Sequence, residues 1–283
     1  MREEHGVTRE LSEPTEKTWA KYQELRQWLE EIGSVVVAYS GGTDSAFLLR
    51  VAHEVLGDRC VGVMADSASV PRAEHKEAAT LARQIGAKRV VVECRELDDP
   101  RYRANTTDRC YFCRRDQFGR IAAYAREQGF AAVLDGANRD DLDDHRPGHR
   151  AAIEHGVRSP LQELAFTKSE IRVLSRTLGL STWDKPASPC LSSRIPYGTP
   201  VTVETLAAIE KSETVIRRLG IREFRVRHHR EIARIEVGPN DAATILEHRE
   251  DLVREIKEQG YLYVTLDLEG FRSGRLNEER EDS

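Results

Sequence analysis

The chain has 283 residues, 39% of them hydrophobic, enough for one sizeable core and a second, smaller one. Its formal net charge of -5 works against a protein-wide pull on nucleic acid, and its apolar runs are too short to cross a membrane. Five cysteines, an odd number without a signal-peptide pattern at Met1–His5, fit a reducing cytoplasm, where closely spaced thiols serve metals or catalysis rather than a disulfide framework.

Residues 1–16 have no convincing apolar period and read as a flexible arm, whereas Trp19, Tyr22, Leu25, Trp28, Leu29 and Ile32 recur at helical spacing. The run from Val35 to Ser45, followed by Ala46-Phe47-Leu48-Leu49, then reads as a buried strand, a phosphate-cradling turn and a helix start. Further apolar runs at Cys60–Met64, Arg89–Val92 and Ala131–Leu134 alternate with amphipathic stretches at Ser45–Leu56, Arg72–Ile85 and Asp116–Gln128. That alternation predicts an α/β fold with a doubly wound parallel sheet over residues 17–197. From about Val203 the pattern becomes helix, two short strands, a helix over Asp241–Gln259 and a strand at Leu262–Leu266. This compact α+β unit over 198–272 resembles part of a ferredoxin-like domain and is expected to serve substrate binding and assembly. The charged tail 273–283 is expected to be disordered.

The turn carries the strongest signal. In Ser40-Gly41-Gly42-Thr43-Asp44-Ser45, paired glycines let the backbone approach an anion, Ser40 and Ser45 add hydroxyl donors, and the following helix offers its N-terminus. Asp44 fits either a helix N-cap or a carboxylate that reaches a phosphate-bridging Mg2+. The lysine of the G-x-x-x-x-G-K-[ST] loop is missing, which disfavours hydrolysis at the γ-phosphate. Ligands of such sheets lie beyond the carboxyl ends of the strands, where Ala38, Ala65-Asp66-Ser67 and Asp135-Gly136-Ala137-Asn138 also fall. Backbone groups near Met64 and Ala65 are candidates for reading an adenine, and Asn138 and Asp141 for phosphate or metal.

Cys110 and Cys113 stand in a C-x-x-C turn, and Cys190 follows a proline-stiffened approach at Ser188-Pro189. Structural zinc wants four ligands, and no obvious fourth accompanies these three. A 4Fe-4S cluster on three thiolates leaves one iron open to an exogenous ligand such as hydrosulfide. Two structural cysteines beside an unrelated thiol is the inert alternative. Cys60 and Cys94, in apolar strand-like surroundings, read as small buried hydrophobes. Downstream, strand alternation puts Arg225 and Arg227 on one face and Arg234 with Glu236 on another; a hairpin around Arg230 would gather them into an anion pocket. Glu213 and Glu236 would hold a cation or orient those arginines.

The loop resembles the S-G-G-x-D-S signature of the ATP pyrophosphatase (PP-loop) superfamily, whose members open ATP between its α- and β-phosphates. Several segments narrow the resemblance: Arg109-Cys110-Tyr111-Phe112-Cys113; Asp135-Gly136-Ala137-Asn138 with Asp140, Asp141 and Asp144; Arg146-Pro147-Gly148; Arg158-Ser159-Pro160-Leu161; Trp183-Asp184-Lys185-Pro186-Ala187; and Cys190-Leu191-Ser192-Ser193-Arg194. Together, over about residues 17 to 270, they resemble the LarE family of ATP-dependent pyridinium-3,5-biscarboxylic acid mononucleotide sulfurtransferases of nickel-pincer cofactor synthesis. The resemblance implies that Ser40, Gly41, Gly42, Asp44 and Ser45 bind ATP, and that Arg225 and Arg227, with Arg194 and Glu236 as further candidates, meet the substrate. It implies Cys190 as the sulfur-transfer cysteine. Members with one site cysteine sacrifice its sulfur; the presence of Cys110 and Cys113 instead resembles members that deliver sulfide from a 4Fe-4S cluster. Homo-oligomers, hexamers in the family, a sulfide source and a cytoplasmic location are implied as well. A tRNA thiolase and a catalytically idle nucleotide sensor with structural zinc are the competing readings.

Overall fold

The computed structural model describes residues 13–142, 147–186 and 188–272. Asp144, Arg146 and Ala187, the first twelve residues and the 273–283 tail lie outside the described residues. The helices are α1 (Glu16–Ile32), α2 (Thr43–Leu56), α3 (Arg72–Ile85), α4 (Pro100–Arg103), α5 (Arg109–Glu127), α6 (Pro147–Glu154), α7 (Pro160–Glu163), α8 (Lys168–Thr177), α9 (Val203–Arg217), α10 (Ala242–Glu247) and α11 (Arg249–Lys257). The strands are β1 (Val35–Ala38), β2 (Cys60–Asp66), β3 (Lys88–Glu93), β4 (Ala132–Leu134), β5 (Phe224–His229), β6 (Ile232–Val237) and β7 (Tyr263–Leu266).

Strands β1 to β4 form one parallel sheet in the order β3-β2-β1-β4. The two-residue period of a strand decides how it is covered. Val35, Val37, Cys60 and Met64 face a core shared with α1, α2, α3 and α8; Val36, Val61 and Val63 face a second core with Phe118, Ile121 and Ala125 of α5 and Ala151 and Ala152 of α6. Both faces are therefore buried, as the near-continuous apolar runs require of a parallel sheet. The doubly wound expectation holds.

Three boundaries differ from the sequence reading. Helix α1 begins at Glu16, one residue before the expected domain start at 17, because the Thr15 hydroxyl accepts from Thr18 N at 3.2 Å and caps it. Helix α5 starts at Arg109, seven residues before the expected Asp116, so Cys110 and Cys113 stand in its first turn and share a face at i, i+3 spacing. The helix expected over Asp241–Gln259 is two helices that meet at His248.

The C-terminal sheet runs β5-β6-β7, with β5 and β6 antiparallel around Arg230, which takes φ +56° in the tight connection, and β7 parallel to β6. Its core is separate: Val215, Ile216, Phe224, Val226, Ile235 and Ile256 pack together. A bridging cluster of Tyr102, Leu191, Ile195, Val201, Leu206 and Ile209, with Phe112 and Cys113 packed against it, seats the start of α9 on the first sheet's unit.

Candidate active site

Helix α2 begins at Thr43 with Gly42 as its N-cap, and no side chain bonds to its first-turn amides, so Asp44 is not the N-cap. Its N-terminal dipole and N–H groups face the end of β1, the arrangement that binds phosphate. Gly41 takes φ +77°, and a Cβ there would lie 2.7 Å from Ala78 Cβ, so only glycine lets the turn lie against α3. Gly136, beyond β4, is equally tied: its Cβ would meet Ser45 N at 2.9 Å. The loop is held by hydroxyls. Ser40 Oγ and Ser45 Oγ are 3.0 Å apart, Gly42 N donates to Ser40 Oγ at 3.3 Å, and the Thr43 hydroxyl donates to Thr182 O at 2.7 Å.

Asp44 points toward the third loop. Asn138, fully buried, donates Nδ2–H to Asp44 Oδ2 at 3.1 Å, and the same residue's N–H donates to Asp141 Oδ2 at 3.1 Å. Lys168 Nζ reaches Asp141 Oδ1 at 3.2 Å. Burial, with the Asp141 charge behind it, pushes the Asp44 carboxyl above its ordinary range, while Lys168 and Asn138 pull it down. Two carboxylates bridged by one amide at a phosphate-type loop have the oxygen-donor chemistry of a Mg2+ site.

Met64 and Ala65, the adenine candidates, turn their backbones to opposite sides of β2. Val63 O accepts from Tyr39 N at 2.9 Å and Asp66 O from Cys94 N at 2.8 Å, so alternate residues of β2 address β1 and β3. By that alternation Met64 pairs toward β3, its side chain is buried, and its sulfur accepts from Arg89 at 3.3 Å. Ala65 instead turns its amide and carbonyl to the side where β1, which ends at Ala38, has stopped. Of the two, Ala65 is the one whose backbone addresses the crevice.

Cys190 lies close to the same crevice, at the carboxyl end of β2. Leu191 N donates to Ser69 O at 2.7 Å, and Ser69 follows β2 by three residues. The Tyr102 hydroxyl and Ser192 Oγ are 2.6 Å apart, and the buried Arg109 guanidinium donates to Asn105 Oδ1 at 2.6 Å and Ser192 O at 2.8 Å. These bonds bring the Cys190 segment to the first turn of α5, where Gln117 Nε2 donates to Cys113 Sγ at 3.4 Å. Burial, then Glu96, Cys190 and Cys110, push the Cys113 thiol well above its usual range. Cys110 is exposed; Cys113 and Cys190 are half-buried.

The arginines are more tightly committed than the sequence suggested. Arg194 and Glu213 are 2% and 3% exposed and meet through two bonds of 2.8 and 3.1 Å; Glu213 Oε1 also accepts from Val226 N at 3.2 Å. Arg194 further donates to Pro189 O and Cys190 O at 2.6 and 3.0 Å, and so shapes the turn that carries the cysteine. Arg227 pairs with the buried Glu236 at 2.9 Å and donates to Ser193 O at 2.8 Å, and Arg234 reaches Glu236 at 3.1 Å. Glu213 and Glu236 thus meet guanidinium groups, the second of the two roles left open for them. Arg225 lies over the Phe271 ring at 4.9 Å, and burial, with Arg194 and Arg227 beside it, pushes its guanidinium down to about 10. A bound anion relieves that crowding of like charge.

Sequence reasoning missed two features. Lys185, half-buried, joins Glu74 and Glu77 of α3 at 2.5 and 2.9 Å, tying the loop after Thr182 to the helix that abuts Gly41. Spacing alone carried no sign of it, because the partners are more than a hundred residues apart. Cys94 was read as a buried hydrophobe, yet it is half-buried beside Asp116 and Glu96, and burial followed by those charges pushes its thiol up to about 12. Cys60 is buried in the apolar core as expected.

The comparisons with known proteins agree with this geometry. A family model described as NAD synthase matches residues 20–110, the segment from α1 through the loop to the start of α5. An uncharacterised protein of Synechocystis is 44% identical over 260 residues, covering 91% of this chain and 97% of its own. A pyridinium-3,5-bisthiocarboxylic acid mononucleotide synthase of Lactiplantibacillus plantarum is 40% identical over 251 residues, 88% of this chain and 91% of its own. A glutamine-hydrolysing GMP synthase of Aeropyrum pernix is 25% identical over 225 residues, covering 71% of this chain and 44% of its own. With a glycine-serine loop at a strand-to-helix corner, a cysteine at the same end of the sheet and a likeness of this extent, the chain belongs to the LarE family of PP-loop ATP pyrophosphatases, a family of ATP-dependent sulfurtransferases.

Proposed function

We propose that this chain uses ATP to adenylate a carboxylate of pyridinium-3,5-biscarboxylic acid mononucleotide and replaces one of its oxygens with sulfur, a step of nickel-pincer cofactor synthesis. The observation that carries the reading is the shared end of the sheet: the Ser40–Ser45 loop leaves β1 and the Cys190 turn is bonded to Ser69 beyond β2, its neighbour. In the first step a carboxylate oxygen attacks the α-phosphorus and pyrophosphate leaves. The loop amides, Ser40 and Ser45 hold the departing phosphates, and Asp44, with Asn138 and Asp141 beside it, holds Mg2+. Sulfide then attacks the acyl carbon, and AMP leaves with the original oxygen. Arg225 and Arg227 receive the mononucleotide's phosphate, and Arg194 with Glu213 shapes the cysteine turn.

For the sulfur source the reading is a 4Fe-4S cluster on Cys110, Cys113 and Cys190. Two thiols on one face of a helix turn and a third brought to them by Arg109 and Tyr102 supply the donor chemistry, and the Gln117 amide on Cys113 is the kind of bond that tunes a cluster sulfur. Such a cluster would supply an open iron for hydrosulfide. Direct donation of the Cys190 sulfur, leaving dehydroalanine, is the second reading, favoured by the partial exposure of that thiol. The assembly is read as a homo-oligomer, a hexamer by family resemblance, in the cytoplasm and without a nucleic acid partner.

The test is anaerobic purification with iron and sulfide analysis, followed by AMP and pyrophosphate measurements with and without the mononucleotide. Mononucleotide-dependent AMP formation, with iron and catalytic sulfur transfer lost in Cys113→Ala while adenylation persists, supports the cluster route. A Cys113→Ala enzyme that still turns over repeatedly overturns it, and a protein that makes AMP only with tRNA overturns the substrate.

A further inference from the structure

We propose that Cys94, Glu96 and Asp116 form a second metal site, one for a single zinc-like divalent cation, with ligands other than those of the neighbouring three-cysteine site. Cys94 follows β3, Glu96 opens the 3-10 turn Glu96–Asp98, and Asp116 lies on α5, two turns beyond Cys110. One ligand atom from each lies within 4.8 Å of the other two. Tetrahedral zinc, with sulfur at about 2.3 Å and carboxylate oxygen at about 2.0–2.2 Å, sets its ligand atoms about 3.3–3.7 Å apart, so closing this set takes a side-chain movement on the order of 1 Å.

Glu96 points to a ligand independently of the clustering. It is 2% exposed; its Oε1 accepts from the Ser67 hydroxyl and, at 3.3 Å, from the Ser69 hydroxyl, while its Oε2 is buried without any hydrogen-bond partner. A buried carboxylate oxygen with no donor, beside a thiol and a second carboxylate, is an acceptor open to a cation. Asp116 already accepts from Arg120 Nε at 3.0 and 3.1 Å and from Arg95 N at 2.8 Å. Oδ2 takes two of these donors, whereas Oδ1 takes one and keeps a further lone pair, so the donors fix the carboxylate's orientation and leave Oδ1 able to coordinate.

Access is at hand. A cavity of about 450 Å³ opens on Glu96 and Asp116 and is also lined by Phe112 and His155. His155 Nε2 has no partner, and Gly119 lets its ring approach α5, since a Cβ there would lie 3.3 Å from His155 Cε1. One sulfur with two carboxylates selects zinc or cobalt over Mg2+ or Ca2+, which take oxygen alone.

The experiment titrates the full chain, stripped by chelator and kept free of iron, with Zn2+ and separately with Co2+. Cobalt reports a thiolate ligand through its charge-transfer absorption. Wild type and Cys113→Ala should both retain the site, whereas Cys94→Ser and Glu96→Gln should each lose one equivalent or weaken its binding at least tenfold. Circular dichroism verifies that each variant is folded, and Asp116→Asn gives a third reading if one of them is not. Equal stoichiometry and affinity in wild type and Cys94→Ser, or a metal lost only in Cys113→Ala, overturns the proposal.

Discussion

Around Ser40–Ser45 recognition rests on main-chain amides, two serine hydroxyls and a glycine pressed against Ala78, whereas around Arg194–Arg227 it rests on guanidinium groups already held by buried carboxylates. The first region is pre-shaped by backbone, and its two carboxylates are joined by Asn138. The second carries its counter-charges within the fold, so its shape survives only while both partners of each pair are present. Backbone sites should fail in function before stability, and paired side-chain sites in stability before function.

The sharpest break of that contrast is Glu213→Leu. It strands Arg194 without its carboxylate and removes the acceptor of Val226 N, and loss of one partner of a buried pair costs about 3–5 kcal/mol. Urea unfolding should report a fall of that order, and the double variant Arg194→Met with Glu213→Leu should recover most of it. A single variant as stable as wild type would put the arginine region on the same footing as the loop.

Asp44→Asn tests the other side. Pyrophosphate release should fall by about 10²–10³-fold, the usual loss when one electrostatic contact to a transferring group is removed. Stability should hold or rise, because the change removes a desolvated charge while an amide can keep a bond with Asn138. The pH dependence has a definite sign. The Asp44 carboxyl is raised by burial and by Asp141, so the metal-binding carboxylate form is lost on acidification at a higher pH than for an exposed aspartate. The protonated form is favoured by folding, and its contribution to stability is present at low pH and fades as pH rises through the folded value. Asp141→Asn should move the acid limb of Mg2+-dependent activity to lower pH.

Legibility in the sequence follows the same division. The parallel sheet was readable because strands buried on both faces leave runs such as Val35–Val37, and the loop because glycine pairs and serines have few other uses at a strand-to-helix corner. The hairpin at Arg230 and the alternation of Arg225 with Arg227 were also readable from period alone. What stayed hidden depends on contacts across the chain. Local spacing at Cys110 and Cys113 suggested a turn, but packing of Phe112 and Cys113 on the Tyr102 cluster extends α5 back over them. Cys94 looked apolar beside Val90–Val92, and its acidic neighbours arrive from a turn and from a helix more than twenty residues on.

The smallest effect calibrates the rest. Arg218 pairs with Glu255 between the end of α9 and α11, in the same C-terminal unit as the Arg227–Glu236 pair, but its side chain is 59% exposed and that of Glu255 32%. Water screens both charges and holding two long side chains in one geometry costs entropy, so such pairs are worth about 0.2–1 kcal/mol. Arg218→Ala should therefore shift the urea midpoint only slightly and leave pyrophosphate release unchanged, and high salt should erase even that difference. Because Arg218 and Arg194 carry the same group and each meets a glutamate, a loss at Arg218 as large as that in Glu213→Leu would mean that burial is not what separates the two regions.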